Sequence, residues 1–168
     1  TSAKDAIYTV LAKSMSIGKQ GIRVRRSEKS FNSEIGVPLS ILDRPNAWGR
    51  PLDWIRNLTA GLFLTLIRHD YPDWLVLEIG ADRPDDIKQF ARWLKLDVAV
   101  LTNLPDLPAH LEFFSSLEEL IQEKLTLLFA VKKNGTIVLN GDDKQIMTAK
   151  EKLAEKFNEC SIRVLTYG

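Results

Sequence analysis

Thr136-Ile137-Val138-Leu139-Asn140-Gly141-Asp142-Asp143 begins with β-branched and apolar residues and ends in four residues that favour turns and helix starts. The first half reads as a buried strand and the second as its exit. A helix follows over about 143–158, with Ile146, Ala149, Leu153 and Phe157 on one side. Ile162-Arg163-Val164-Leu165 is then another strand.

The same grammar repeats upstream. Residues 3–15 place Ile7, Val10, Leu11 and Met15 near one helical face, and Ile22-Arg23-Val24-Arg25 alternates like a half-exposed strand. Residues 26–36 are polar and read as loop, and Pro38 and Pro45 keep 38–51 irregular or briefly helical. Pro51 opens a helix to about Arg68, whose Ile55, Leu58, Leu62, Phe63, Leu66 and Ile67 form a broad apolar stripe. Trp74 to Ile79 is a nearly all-apolar strand with Glu78 at its C-terminal end. Pro84-Asp85-Asp86 starts a helix to about Leu94, Asp97 to Leu101 is a strand, and Ser116 opens a helix to about Phe129. Helix and strand alternate throughout. The fold class is therefore α/β, with a mostly parallel sheet flanked by helices. Ligands of such folds gather beyond the C-terminal ends of the strands.

At 168 residues the chain has the size of one domain, and 45% hydrophobic with 27% charged residues excludes disordered and collagen-like classes. No apolar run is long enough to cross a membrane. One cysteine, Cys160, excludes a disulfide framework and a cysteine-built zinc site, and a reducing cytoplasm is the expected compartment. Thr1 to Asp5 carries no signal-peptide pattern. Cys160 itself reads as a small, partly buried residue, and the aromatics read as core. The net charge of +1 is unevenly spread: residues 1–60 hold ten Lys/Arg against five Asp/Glu, and 61–168 hold thirteen against seventeen. Arg23, Arg25, Arg26 and Lys29 read equally as an anion grip or as a solvated strand edge. A nucleic-acid module is disfavoured, because that basic stretch lacks interleaved aromatics.

Polar groups leave three strand ends. Glu78 ends one, where a hard oxygen donor suits Mg²⁺ and a solvent-facing terminus is the plain alternative. Thr102 and Asn103 follow a second, with His110 close behind. Asn140, Asp142 and Asp143 follow the third. His110 alone is more often structural than a ligand, His69 reads as a helix-end charge, and Lys124 reads on periodicity as a surface lysine. Thr1-Ser2 before a helix fits the hydroxyl that closes a phosphate loop, G-x-x-x-x-G-K-[ST].

Four stretches resemble one family. Phe31-Asn32-Ser33-Glu34-Ile35-Gly36-Val37-Pro38-Leu39 looks like the Asn-rich, Gly-x-Pro segment of Mur ligase central domains. Leu75-Val76-Leu77-Glu78-Ile79-Gly80-Ala81-Asp82-Arg83-Pro84 resembles its strand-Glu-x-Gly segment, and Leu101-Thr102-Asn103 with His110-Leu111-Glu112 its Thr-Asn…His-Leu-Glu segment. Val138-Leu139-Asn140-Gly141-Asp142-Asp143 resembles its Asn-x-Asp-Asp strand end. The match is nearest to the type that joins D-alanyl-D-alanine to UDP-N-acetylmuramoyl-tripeptide (MurF-type).

The resemblance implies a P-loop NTPase-like Mur ligase central domain, truncated, over 1–168. It implies an ATP-dependent amide ligase of peptidoglycan precursor synthesis, working through an acyl phosphate with two Mg²⁺ ions. Thr1, Glu78 and His110 match metal ligands, and Lys124 matches the lysine that is carbamylated in many members. His110 and Lys124 thereby carry the catalytic expectation. Asn32 and Ser33 match the loop that approaches the muramoyl-peptide. Asn103, Asn140 and Asp143 fall on the nucleotide side. The phosphate-loop glycines and lysine expected before Thr1, the end of the central domain after Gly168, and the N-terminal UDP-binding and C-terminal domains lie outside the chain. The isolated chain is expected to turn over nothing. Asp85 stands where the family commonly has Gly. The competing readings are another Mur or folylpolyglutamate synthase-type ligase, and a non-catalytic nucleotide-binding domain of the same fold. Nucleic acid and membrane insertion are not expected.

Overall fold

The computed structural model describes residues 3–18, 22–27, 31–67, 71–104 and 111–168. The chain divides into two compact units, Thr1–Ile79 and Gly80–Gly168. Among the described residues all strand pairing is parallel, in one two-stranded and one three-stranded sheet, each with helices between consecutive strands.

The first unit contains α1 (Ala3–Gly18), β1 (Val24–Arg26), α2 (Gly36–Leu42), α3 (Pro51–Leu66) and β2 (Trp74–Val76). β1 pairs with β2 from Val24↔Trp74 to Arg26↔Val76. Glu78 therefore lies beyond the strand rather than at its end, because the three-residue partner runs out and Ser27 N–H makes the last ladder bond, to Val76 O at 3.0 Å. α2 begins inside the stretch read as loop. Pro38 sits in its first turn, where a missing N–H leaves no helical bond unmade.

The basic cluster of this unit is consumed internally. Arg25 donates to Ser40 O and Ile41 O, at 3.2 and 2.8 Å, and pairs with Asp43 at 3.2 Å, so it caps the end of α2. Arg23 holds the Tyr71 carbonyl and Asp73, and Arg26 pairs with Asp5 and lies over Tyr8. These three arginines are struts of the unit, which removes them from the anion-grip reading; Lys29 lies outside the described residues.

The second unit runs α4 (Asp86–Trp93), β3 (Leu96–Leu101), α5 (Leu117–Thr126), β4 (Val131–Asn140), α6 (Lys144–Glu159) and β5 (Arg163–Tyr167). Strand order is β3-β4-β5. Ile137 and Leu139, two apart on β4, are completely or almost completely buried and meet Ile146, Ala149 and Phe157 of α6 with Leu125 and Leu128. β4 starts five residues earlier than its apolar run. Leu96 pairs with Val131, then the register shifts before Val98↔Thr136, and Asn134 takes φ 63°. Gly135 is required there, since a Cβ would stand 2.6 Å from Val131 Cγ1 and 3.0 Å from Asp97 O.

The aromatic residues are less interior than their apolar settings suggest. Phe90, Phe114 and Phe157 are buried, whereas Trp48, Phe63, Trp93, Phe113 and Phe129 are exposed. Cys160 is exposed too, at the C-terminal cap of α6.

Asp85 adopts φ 70°, the left-handed conformation, immediately before α4. That is the physical reason a glycine suits this place. Asp85→Gly is therefore expected to hold or raise stability, and Asp85→Val to lower it by about 1–2 kcal/mol, measured by urea unfolding of the two variants beside the parent.

Candidate functional site

The C-terminal ends of β3, β4 and β5 form one edge of the second unit. Asn140, the last residue of β4, donates through Nδ2 to Thr102 O at 3.1 Å and accepts Asp142 N–H at 3.1 Å. Gly141 N–H reaches Tyr167 O at 2.6 Å. The exits of all three strands are thus tied by hydrogen bonds within a few residues.

Asp143 supplies three further ties. Its Oδ1 accepts the N–H groups of Gln145 and Ile146, at 2.9 and 3.0 Å, as the N-cap of α6. Its Oδ2 accepts Leu104 N–H at 2.7 Å. One carboxylate therefore fixes both a helix start and the loop that leaves β3. Asn103, between Thr102 and Leu104, is exposed on that loop.

Lys124 lies near the last turn of α5 and is half-buried, which departs from the surface-lysine reading. Burial pushes its ammonium below the ordinary lysine value, while the Asp143 charge opposes the shift. The Asp143 carboxylate that opposes the shift stands at the start of α6, beside the strand exits. Its sequence neighbour Glu123 is buried and accepts Ile87 N–H and Lys88 N–H through Oε1, at 2.7 and 2.9 Å. Asp85 makes no side-chain cap for α4, so Glu123 caps that helix from α5. The sequence reading passed over Glu123. The signal available was a carboxylate three residues after Leu120, on the same side of an amphipathic helix.

Glu78, Asn32 and Ser33 belong to the first unit. Glu78 is half-buried and pairs with Lys4 at 3.5 Å; the Lys4 side chain is only 6% exposed. Ser33 lies just before α2, with its carbonyl accepting Val37 N–H at 2.9 Å and its hydroxyl accepting Gly36 N–H at 3.4 Å. Gly36 is forced by the chain itself, since a Cβ would meet the Phe31 backbone at 2.8 Å. Asn32 is partly exposed beside it. Thr1, His110 and His69 lie outside the described residues.

Among the described residues no three His, Cys, Asp or Glu side chains gather in a metal cluster. The donor types nevertheless suit a hard cation. Glu78 presents carboxylate oxygen in a partly desolvated setting, and a lysine with a depressed pKa is the kind that accepts CO₂ to become an oxygen donor. Among the described residues no helix is long and apolar enough to cross a membrane.

The profile of the Mur ligase middle domain matches residues 56–168. The UDP-N-acetylmuramoyl-tripeptide–D-alanyl-D-alanine ligase of Bacillus subtilis is 26% identical over 149 residues, which are 89% of this chain and 25% of that protein. The ligase of the same name from Rickettsia prowazekii is 30% identical over 88 residues, 52% of this chain and 19% of that one. The crystal structure of MurF from Acinetobacter baumannii superposes with a TM-score of 0.62 at 16% identity, covering 99% of this chain and 29% of that one. That likeness shows the shared fold. The chain spans about a quarter of the length of the relatives it matches.

Two outcomes follow from the geometry. Glu123→Ala strips two N–H groups of their acceptor and should lower stability by about 1–3 kcal/mol, with Glu123→Gln losing less, both read from denaturant midpoints. For Lys124, the unfolded chain keeps its proton up to the ordinary lysine range, while the folded chain releases it at lower pH. The unfolded state then binds more protons in that window, so this residue's contribution to stability rises with pH. Lys124→Met should stabilise the protein at neutral pH and flatten the alkaline rise, as thermal melts across pH will register.

The chain belongs to the Mur ligase family, as a member of its middle domain.

Proposed function

We propose that the protein carrying this chain is an ATP-dependent amide ligase of peptidoglycan precursor synthesis, joining D-alanyl-D-alanine to UDP-N-acetylmuramoyl-tripeptide. The observation that carries the reading is the family match over residues 56–168, together with relatives that bear this ligase name. In the proposed reaction a substrate carboxylate takes the γ-phosphoryl of ATP, releasing ADP. The amine of D-alanyl-D-alanine then attacks the acyl carbon, and phosphate leaves as the amide forms.

Each residue has a proposed task. Asn103, Asn140 and Asp143 shape the nucleotide side, where the strand exits are held by the Asp143 carboxylate. Asn32 and Ser33 approach the muramoyl-peptide at the start of α2. Thr1, Glu78, His110 and a carbamylated Lys124 would hold two Mg²⁺ ions, which supply neutralisation of the crowded phosphate oxygens. Lys124 is suited to carbamylation because only a neutral amine attacks CO₂, forming an N–C bond and releasing a proton. Its depressed pKa raises the neutral fraction at any given pH. Lys4 holds the Glu78 carboxylate through their ion pair. The proposed reaction also needs a phosphate loop before Thr1 and the flanking UDP-binding and C-terminal domains of the family. A cytoplasmic location follows from the same reading.

The test is phosphate release from ATP by the intact protein with UDP-muramoyl-tripeptide, with and without D-alanyl-D-alanine, beside Glu78→Ala and Lys124→Ala. Release is expected only with both substrates, and to fall at least about a hundredfold in either variant. Bicarbonate labelled with ¹³C should add a carbamate resonance that Lys124→Ala lacks. Release with glutamate and a folate instead would assign the folylpolyglutamate reading. No release with any acceptor would leave a nucleotide-binding domain.

A further inference from the structure

α3 is mounted against its own polarity. At about 100° per residue, Asn57, Ala60, Gly61 and Leu64 share one side. That side meets the rest of the unit: Asn57 is buried and donates to Pro45 O at 3.0 Å, and a Cβ on Gly61 would lie 3.4 Å from Leu42. The opposite arc, about 140° wide by the same count, carries Leu52, Ile55, Leu58, Leu62, Phe63 and Leu66. These six are between 57% and 80% exposed. The polar and small residues face the protein and the large apolar ones face away. A patch of this kind marks a surface that something apolar covers.

Beside the arc lies an open cavity of about 590 Å³ whose lining includes Arg25, Arg44, Arg56, Asp43, Tyr71 and Phe63. Phe63 belongs to both the arc and the cavity, so the apolar surface and the basic cavity are continuous. Arg25 is committed to the end of α2 and to Asp43, and its guanidinium lies 5.0 Å from the Tyr71 ring centroid. The Arg44 Nε is buried without a hydrogen-bond partner among the described residues. Arg56 stands on the border of the arc, exposed. From Arg44 to Ile67 the chain holds three arginines against one acid, Asp53. Trp48, 76% exposed, stands just before α3.

We propose that α3 docks the protein on an anionic phospholipid surface, with the apolar arc entering the acyl boundary and Arg44 and Arg56 receiving lipid phosphates at the mouth of the cavity. An apolar arc edged by arginines and a tryptophan is the arrangement that lies in a bilayer interface. α3 has 16 residues, against about 20 for a span, so it lies on the membrane rather than through it. A two-fold pairing of copies through this face would gather the arginines of both at one seam, whereas anionic lipid attracts the same charges. The proposal stands apart from the ligase reading, and its test uses no ligase substrate.

The experiment is flotation of the intact protein with vesicles of phosphatidylcholine plus phosphatidylglycerol, and with phosphatidylcholine alone. Binding is expected to the anionic vesicles, to weaken with salt, and to fall about fivefold for each of Arg44→Gln and Arg56→Gln. Leu58→Glu/Leu62→Glu should lose at least about tenfold while keeping its circular dichroism, since both side chains are exposed. No flotation with either vesicle overturns the proposal. So does binding that the double glutamate variant retains. A dimer that this variant dissolves, without vesicle binding by the parent, would assign the face to a second copy instead. Glycerol phosphate bound by the protein in the absence of flotation would reduce the cavity to a soluble-anion site.

Discussion

Both oxygens of Asp143 are engaged, and on different elements. Oδ1 closes the N-terminus of α6, and Oδ2 holds Leu104 N–H in the loop that leaves β3. Parallel strands connected by helices have no hairpin joining their ends; the ladders set their register, and the loops that leave them are held by further contacts. Asp143 ties the loop after β3 to the start of α6, and Gly141 N–H on Tyr167 O ties the exit of β4 to β5. The same carboxylate opposes the desolvation that lowers the Lys124 pKa. Backbone geometry and side-chain electrostatics at this edge thus share one anchor.

Glu123 does comparable work on the other side of the unit. A helix start normally takes its cap from the residue before it. Asp85 cannot act this way, because its left-handed backbone makes no side-chain cap. The acceptor comes from α5 instead, and the desolvation of a buried carboxylate is offset by two backbone donors and the helix dipole. The cap also fixes α5, and with it Lys124 one residue further on.

The alternation of elements was legible because strand and helix periods are local: Ile137 and Leu139 on β4, and Ile146, Ala149 and Phe157 on α6, fall where a period count places them. Strand length was less legible, because it depends on a partner. β2 stops at Val76 when β1 runs out, and β4 extends back to Val131 because Leu96 is there to pair with it. The strand-end polar residues were readable from topology alone. The Glu123 cap was not, since its partners lie 36 and 35 residues away. The stripe of α3 was visible as a pattern, but a pattern does not say which way a helix faces. Only the seating of Asn57 and Gly61 shows that its apolar side looks outward.

Cys160 is the chain's one cysteine, and it is exposed at the end of α6, just before β5. Its carbonyl accepts Asn134 N–H near the start of β4, at the end of the sheet opposite the strand exits. A five-residue strand spans about 17 Å. A single dye or spin label attached at this thiol would therefore sit one strand's length from the edge where Asn140 and Asp143 lie. It would report on that edge without touching it.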